Sequence, residues 1–274
     1  MFRIRQHFDR NLILLLVLSL FALAPLLSPG YFFDAHDADH SVFFLVEFDQ
    51  AIRDGILWPR WSPDHAMGYG YPVWVVYAPL AYFVAEGFHL LGLGFTAAIK
   101  ATWAVGFLFG GWGMFVLLRR WFGRSAGAPR ALGTAVALVG GLVYVYAPYH
   151  LLTIYVRAAL AEFVAMAWFP WVLLAFSDLV DSTGDRNRSL RSVALAALAL
   201  ACLVMTHTGM ILVFTPLLAA YLGFALIRRG YRLATSVRRE QSAASGPFWW
   251  RDLGGAILRL VAAGALAGGL AAIF

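Results

Sequence analysis

Seven runs of apolar residues, each near the length that crosses a bilayer, dictate most of what this chain can become. They cover residues 12–27, 96–118, 131–147, 158–176, 192–205, 210–227 and 256–274. The hydrocarbon core of a membrane is roughly 30 Å thick and holds no water. A segment of about 20 residues inside it must satisfy its own backbone hydrogen bonds, and so becomes a helix. The predicted fold class is therefore all-α, a polytopic transmembrane helical bundle of about seven spans. Composition agrees, with 61% hydrophobic and 13% charged residues where a soluble domain is nearer half and a quarter. The net charge of +6 would suggest nucleic acid in a soluble chain. Here it is explained by loop charges that set orientation, and no nucleic-acid partner is expected.

The whole of 1–274 reads as a single transmembrane domain. Arg3, Arg5 and Arg10 precede the first run, which is longer than a signal core and carries Pro25 after its small residues. It is read as a retained anchor. The last run stops without a polar flank, so the sequence is expected to be the N-terminal part of a longer chain. Residues 192–227 are too long for one crossing and are split at Thr206-His207-Thr208-Gly209, with Gly209 ending a helix and the turn lying below the membrane surface. The stretch 228–252 reads as a flexible basic loop suited to anionic lipid headgroups. Cys202, the one cysteine, is packing.

Residues 73–91 are apolar but interrupted by Pro79, and carry Glu86 and His89. The distribution of charge decides whether they cross. If they do not, only Arg53, Arg60, Lys100 and Arg157 of the 21 basic residues lie on the outer side. If they do, every later loop inverts and most basic residues lie outside, against the positive-inside rule. The segment is therefore predicted to be re-entrant or juxtamembrane, part of a first outer loop spanning 28–95. In that loop, 42–54 reads as an amphipathic helix in the interface plane. Phe44, Leu45, Phe48, Ala51 and Ile52 form its apolar face, Glu47, Asp49, Gln50, Arg53 and Asp54 its polar face, and Gly55 closes it. The same topology gathers six of the seven histidines on the outer side: His36, His40, His65, His89, His150 and His207.

The densest titratable cluster follows the first span: Asp34, His36, Asp37, Asp39 and His40. In a helix Asp37 and His40 would share a face, as would His36 and His40. A carboxylate can act as a general base with an imidazole tuning it. Asp37, Asp39 and His36 could instead hold a divalent cation, magnesium or manganese. A solvated, helix-capping loop is the plain alternative. Glu86 and His89 share a helical face at membrane depth, where an ionisable residue is a functional candidate or a mutually satisfied pair. Arg157 and Glu162, five apart, should point to different faces and find partners elsewhere; an outer arginine suits a phosphate or carboxylate. Lys100 can snorkel or meet an anionic headgroup. His207 suits a hydrogen-bonded structural role at its turn.

These residues, in order, carry a resemblance. His36-Asp37 with His40, Gly55, Pro59-Arg60-Trp61, Gly68-Tyr69-Gly70-Tyr71-Pro72, Tyr77 with Pro79-Leu80, Pro148-Tyr149-His150, Tyr155, Arg157 and Glu162 resemble the integral-membrane glycosyltransferases of the C superfamily. More narrowly, they resemble bacterial membrane proteins labelled 6-pyruvoyl-tetrahydropterin-synthase-related. The resemblance covers roughly 28–170. It implies a bundle of the glycosyltransferase C type in the bacterial inner membrane, with a cytoplasmic N-terminus and a site on the outer face. It further implies transfer of a sugar from a polyprenyl-phosphate carrier, with an outer-loop acid as base or metal ligand. By position that acid is Asp37, with Asp34 and Asp39 as rivals. His40 would orient it, and Arg157, with Lys100, would meet the carrier phosphate. Glu162, Glu86, His89 and His207 complete the expected substrate-binding set. The pterin label implies no pterin chemistry, since a soluble pterin synthase needs a zinc-binding histidine trio on another fold. The alternative functions are a transporter or flippase of lipid-linked saccharides, and a non-catalytic membrane assembly subunit.

Overall fold

The computed structural model describes residues 10–32, 34–123, 130–182, 185–239 and 248–272. Arg3, Arg5, Arg124 and the last two residues of the final predicted span lie outside them. Eleven α-helices run in order among the described residues. They are α1 (Arg10–Leu23), α2 (Ala38–Arg53), α3 (Val73–Val76), α4 (Leu80–Leu90), α5 (Phe95–Phe122), α6 (Arg130–Val145), α7 (Pro148–Tyr155), α8 (Leu160–Asp181), α9 (Arg186–Thr206), α10 (Thr208–Arg239) and α11 (Phe248–Ala271). A 3₁₀ turn, Ala24–Leu27, extends α1. No strand occurs among these residues, only one isolated bridge between Ser62 and Tyr71. Seven segments are long and apolar enough to cross a membrane: Arg10–Leu27, Phe95–Phe122, Ala131–Tyr155, Leu160–Asp181, Arg186–Thr206, Thr208–Thr235 and Asp252–Ala271. The protein is an all-helical membrane bundle, as its apolar runs require.

Helix α8 is the most enclosed of the seven, with 67% of its apolar window buried. It packs against α5 and α9. Close approach to α5 depends on glycine. An added Cβ at Gly106, Gly110 or Gly113 would meet Phe163, the Ala167 backbone or Trp171 of α8. The i, i+4, i+7 spacing puts all three on one stripe, which is how membrane helices come within packing distance without a hydrophobic driving force. Pro170 lies inside α8 and cannot donate to the carbonyl of Met166. That orphaned oxygen accepts the Tyr144 hydroxyl of α6 at 2.6 Å, so a neighbouring helix satisfies the break.

The segment 73–91 forms no single helix long enough to cross. Tyr77, Ala78 and Pro79 separate α3 from α4, and the 11 residues of α4 reach about 16 Å, half the hydrocarbon thickness. Three other readings need correction. Helix α9 begins at Arg186 and has 21 residues, so it is long enough to span and its turn need not be sunken. The break after it falls at His207, while Gly209 sits inside the first turn of α10. The basic segment after 227 is not a loop throughout, because α10 continues to Arg239 and α11 starts at Phe248; residues 240–247 are not described.

Helix α2 matches the predicted amphipathic helix, with Gly55 at φ +85° after it. Part of its supposed polar face is covered, however: Glu47 and Asp49 are 2% and 7% exposed, while Gln50, Arg53 and Asp54 stay exposed. The loop after α2 folds back over it. Ser62 donates its hydroxyl to Glu47, and the Asp64 N–H donates to the same carboxylate at 3.3 Å. With its one proton committed to Glu47, the Ser62 oxygen accepts from His65 Nδ1–H. The reversal 66–70 needs left-handed backbone at Ala66, Met67, Gly68 and Gly70. At Gly70 a Cβ would also strike the Trp61 ring.

Candidate functional site

The acidic cluster and the α7–α8 turn are bound together by the backbone. His36 N–H donates to Val156 O at 3.1 Å, and Asp37 N–H to Arg157 O at 2.8 Å. Ser41 then donates its hydroxyl to Ala158 O at 3.0 Å. Ala158 has φ +55°, a left-handed conformation costly for a residue with a Cβ. That reversal turns the chain between α7 and α8 and presents three consecutive carbonyls to the start of α2. Around this junction lies a cavity of about 260 Å³ lined by Asp37, His40, Ser41, Phe44, Tyr77, Tyr82, Ala159 and Leu160.

The same reversal corrects the expectation for Arg157 and Glu162. Arg157 is outside the helix, which starts at Leu160, so helical spacing does not separate the pair. Its guanidinium folds back to Glu162 at 2.7 Å. Tyr149 donates its hydroxyl to Glu162 at 2.5 Å and accepts from Arg157 at 3.3 Å. Asp37 and Glu162 both act on the Tyr77 hydroxyl, which burial and these two carboxylates push up to about 12. Tyr77 thus stays protonated and can only donate to an anion or accept as a neutral hydroxyl.

Asp37 occupies the N-cap position of α2, but its side chain caps nothing. It faces His40 at 3.7 Å, the i, i+3 pairing expected. His36, Asp34 and Asp39 are exposed. The helix begins only at Ala38, so His36 lies in the preceding turn and does not share a helical face with His40. Asp37 and Asp39 are two apart and diverge. Among the described residues no three His, Cys, Asp or Glu side chains converge on a metal position. The set Asp37, Asp39 and His36 is therefore not gathered for magnesium or manganese.

His207 meets Tyr77 ring to ring at 6.0 Å and accepts the Met210 N–H on Nδ1 at 3.2 Å, the bond an N-cap side chain makes. Burial holds its imidazole below the usual range. It is both a helix cap and a neighbour of the site. Lys100 is engaged elsewhere, donating to Ser28 O at 2.8 Å and lying over the Phe32 ring. Tyr149 and Ser41 were not singled out as site residues from sequence. Tyr149 stood in a recognisable Pro-Tyr-His run, whereas Ser41 has no signal beyond being one turn from Asp37.

Glu86 and His89 form a separate cluster with Asp49 and Arg53. Arg53 bonds Asp49 at 2.7 Å, and His89 Nε2 lies 3.7 Å from Asp49. His89 also stacks on Phe95. Glu86 is 3% exposed, and neither of its oxygens has a hydrogen-bond partner among the described residues. Burial and the Asp49 carboxylate raise its pKa above the usual carboxylate range, against smaller opposing effects of His89 and Arg53. A carboxyl whose folded value is raised contributes stability that is present at low pH and is lost as pH rises from its unfolded to its folded value. Glu86→Gln, a neutral isostere, removes that loss. Unfolding midpoints of the two proteins should stay close near pH 4 and separate towards pH 8, with the variant the more stable. Parallel curves would show that Glu86 is not held protonated.

No curated protein matches the chain, and no solved structure does. A described family does, over residues 75–251, which takes in α4 to α10, Arg157 and Glu162 but not Asp37. By that match the chain belongs to the membrane-protein family described as 6-pyruvoyl-tetrahydropterin synthase related.

Proposed function

We propose that this protein is a membrane glycosyltransferase that moves a sugar from a polyprenyl-phosphate carrier to a hydroxyl acceptor, on the outer face of a bacterial inner membrane. The observation that carries the reading is the backbone hydrogen bond of 2.8 Å that joins Asp37 to Arg157, beside a cavity that Asp37 lines. A base and a cation held that way suit the two ends of a displacement. Asp37 takes the acceptor proton, the acceptor oxygen bonds to the anomeric carbon, and the bond from that carbon to the carrier phosphate breaks with its electrons going to phosphate. Arg157, its guanidinium fixed by Glu162 and Tyr149, offsets the charge left there. His40 orients Asp37, and Tyr77 is a neutral donor in the wall. The route needs no metal, and Lys100 has no part in it. Placement in the glycosyltransferase C superfamily is part of the same proposal.

The test is donor consumption. Protein reconstituted in liposomes with a labelled polyprenyl-phosphate sugar should release free polyprenyl phosphate and transfer the label. Label that crosses the bilayer while the donor stays intact would replace this reading with transport. The buried Glu86 beside Asp49, next to the break at Pro79, is the one feature that favours that second function.

A further inference from the structure

At the opposite end of the bundle, arginines outnumber the carboxylates they meet. Arg120 pairs with Asp178 and stands 3.7 Å from Asp181. Arg232 also reaches Asp181, at 3.4 Å. Arg229 is 6% exposed. It bonds the Val180 carbonyl, in the last turn of α8, and Asp252 at 2.6 Å. Arg259 comes seven residues after Asp252 on α11, on the same face two turns further along. Its guanidinium turns back along the helix: Nη1 lies over Gly255, 3.5 Å from where a Cβ there would be. That direction is the one in which a long basic side chain on a spanning helix snorkels.

Arg229 and Arg259 therefore share a single carboxylate, Asp252, which acts electrostatically on Arg259 while bonding Arg229. Among the described residues, Asp178 and Asp181 at the end of α8 are taken by Arg120 and Arg232. Three guanidinium N–H groups are left over: Nε of Arg229, and Nε and Nη2 of Arg259 are buried with no hydrogen-bond partner among the described residues. Each such group costs free energy, and a buried charge without a counter-charge costs more. Guanidinium N–H groups arranged in this way match the oxygens of a phosphate, which takes several charge-assisted bonds at once.

We propose that Arg229 of α10 and Arg259, midway along α11, form a binding site for a phosphate group, supplied by the headgroup of an anionic membrane lipid. The lipid source follows from position. Arg259 lies within a span, and the helix surface beside it at Ile257 and Leu258 is exposed and apolar, so acyl chains can lie along α11 while the headgroup reaches the arginines. The site is remote from Asp37 and does not depend on the glycosyltransferase reading.

The test is thermal unfolding of the full chain in neutral detergent with phosphatidylglycerol, diacylglycerol or inorganic phosphate added. Phosphatidylglycerol should raise the midpoint and diacylglycerol should not. Arg259→Gln should weaken the phosphatidylglycerol response about tenfold in the concentration needed, as expected for losing charged hydrogen bonds. Arg188→Gln, an exposed arginine on α9, should leave it unchanged. An equal response to inorganic phosphate assigns the site to free phosphate and overturns the lipid source. An equal response to diacylglycerol, or an unaltered one in Arg259→Gln, overturns the site itself. If Arg259→Gln does not fold, native mass spectrometry of the unaltered protein decides. Retention of phosphatidylglycerol over diacylglycerol supports the site, and equal retention overturns it.

Discussion

Asp37→Asn will remove donor consumption, by about 10²- to 10⁴-fold as for loss of a general base, while membrane insertion and unfolding midpoint stay close to those of the unaltered protein. The two halves of that expectation come from different observations. Asp37 is held by its backbone N–H, which donates to Arg157 O, and asparagine keeps that bond. Its side chain makes no cap and is 39% exposed, so the amide loses little in stability. What asparagine cannot do is take a proton from a hydroxyl. Asp34→Asn and Asp39→Asn, both at exposed positions, should retain activity within a few-fold. If Asp34→Asn carries the loss and Asp37→Asn does not, the base is the rival. If all three variants are active, the cluster is a solvated loop and the enzyme reading fails.

Glu162→Gln should produce the largest change in stability, about 3 kcal/mol, the scale for removing one partner of a buried ion pair. The substitution keeps shape and volume, so a loss of that size reports charge and not packing. Glu162 is the acceptor for both Arg157 and Tyr149. With an amide there, the Arg157 cation is left at a half-buried turn already strained at Ala158. Tyr149→Phe deletes only one hydrogen bond and should cost about 1 kcal/mol. Denaturation of the two variants in the same detergent measures the difference. Equal small losses would mean that water, and not Glu162, balances Arg157.

The membrane spans were legible because lipid leaves the backbone a single choice, and apolar length is visible one residue at a time. The break in 73–91 was legible from Pro79, which interrupts the apolar run where α3 gives way to α4. The pairing of Arg157 with Glu162 was not legible, because it depends on Ala158 adopting a left-handed backbone that alanine does not advertise. Burial of Glu47 and Asp49 was hidden for a related reason: helical periodicity separates faces but does not reveal a later loop folding onto Glu47 or α4 packing onto Asp49. The Asp37–His40 pair was legible because both its members lie on or at the start of one helix.

The proline in α8 also has a consequence for how the protein is made. An α-helix ordinarily enters the bilayer with its hydrogen bonds complete, and its neighbours only pack against it. Here the carbonyl of Met166 is complete only when Tyr144 is beside it, and Tyr144 precedes it in the chain. The donor is thus already synthesised when the helix that needs it arrives. Insertion in the order of translation supplies each part when it is required, whereas a permuted chain that delivered α8 first would put an unpaired carbonyl into lipid.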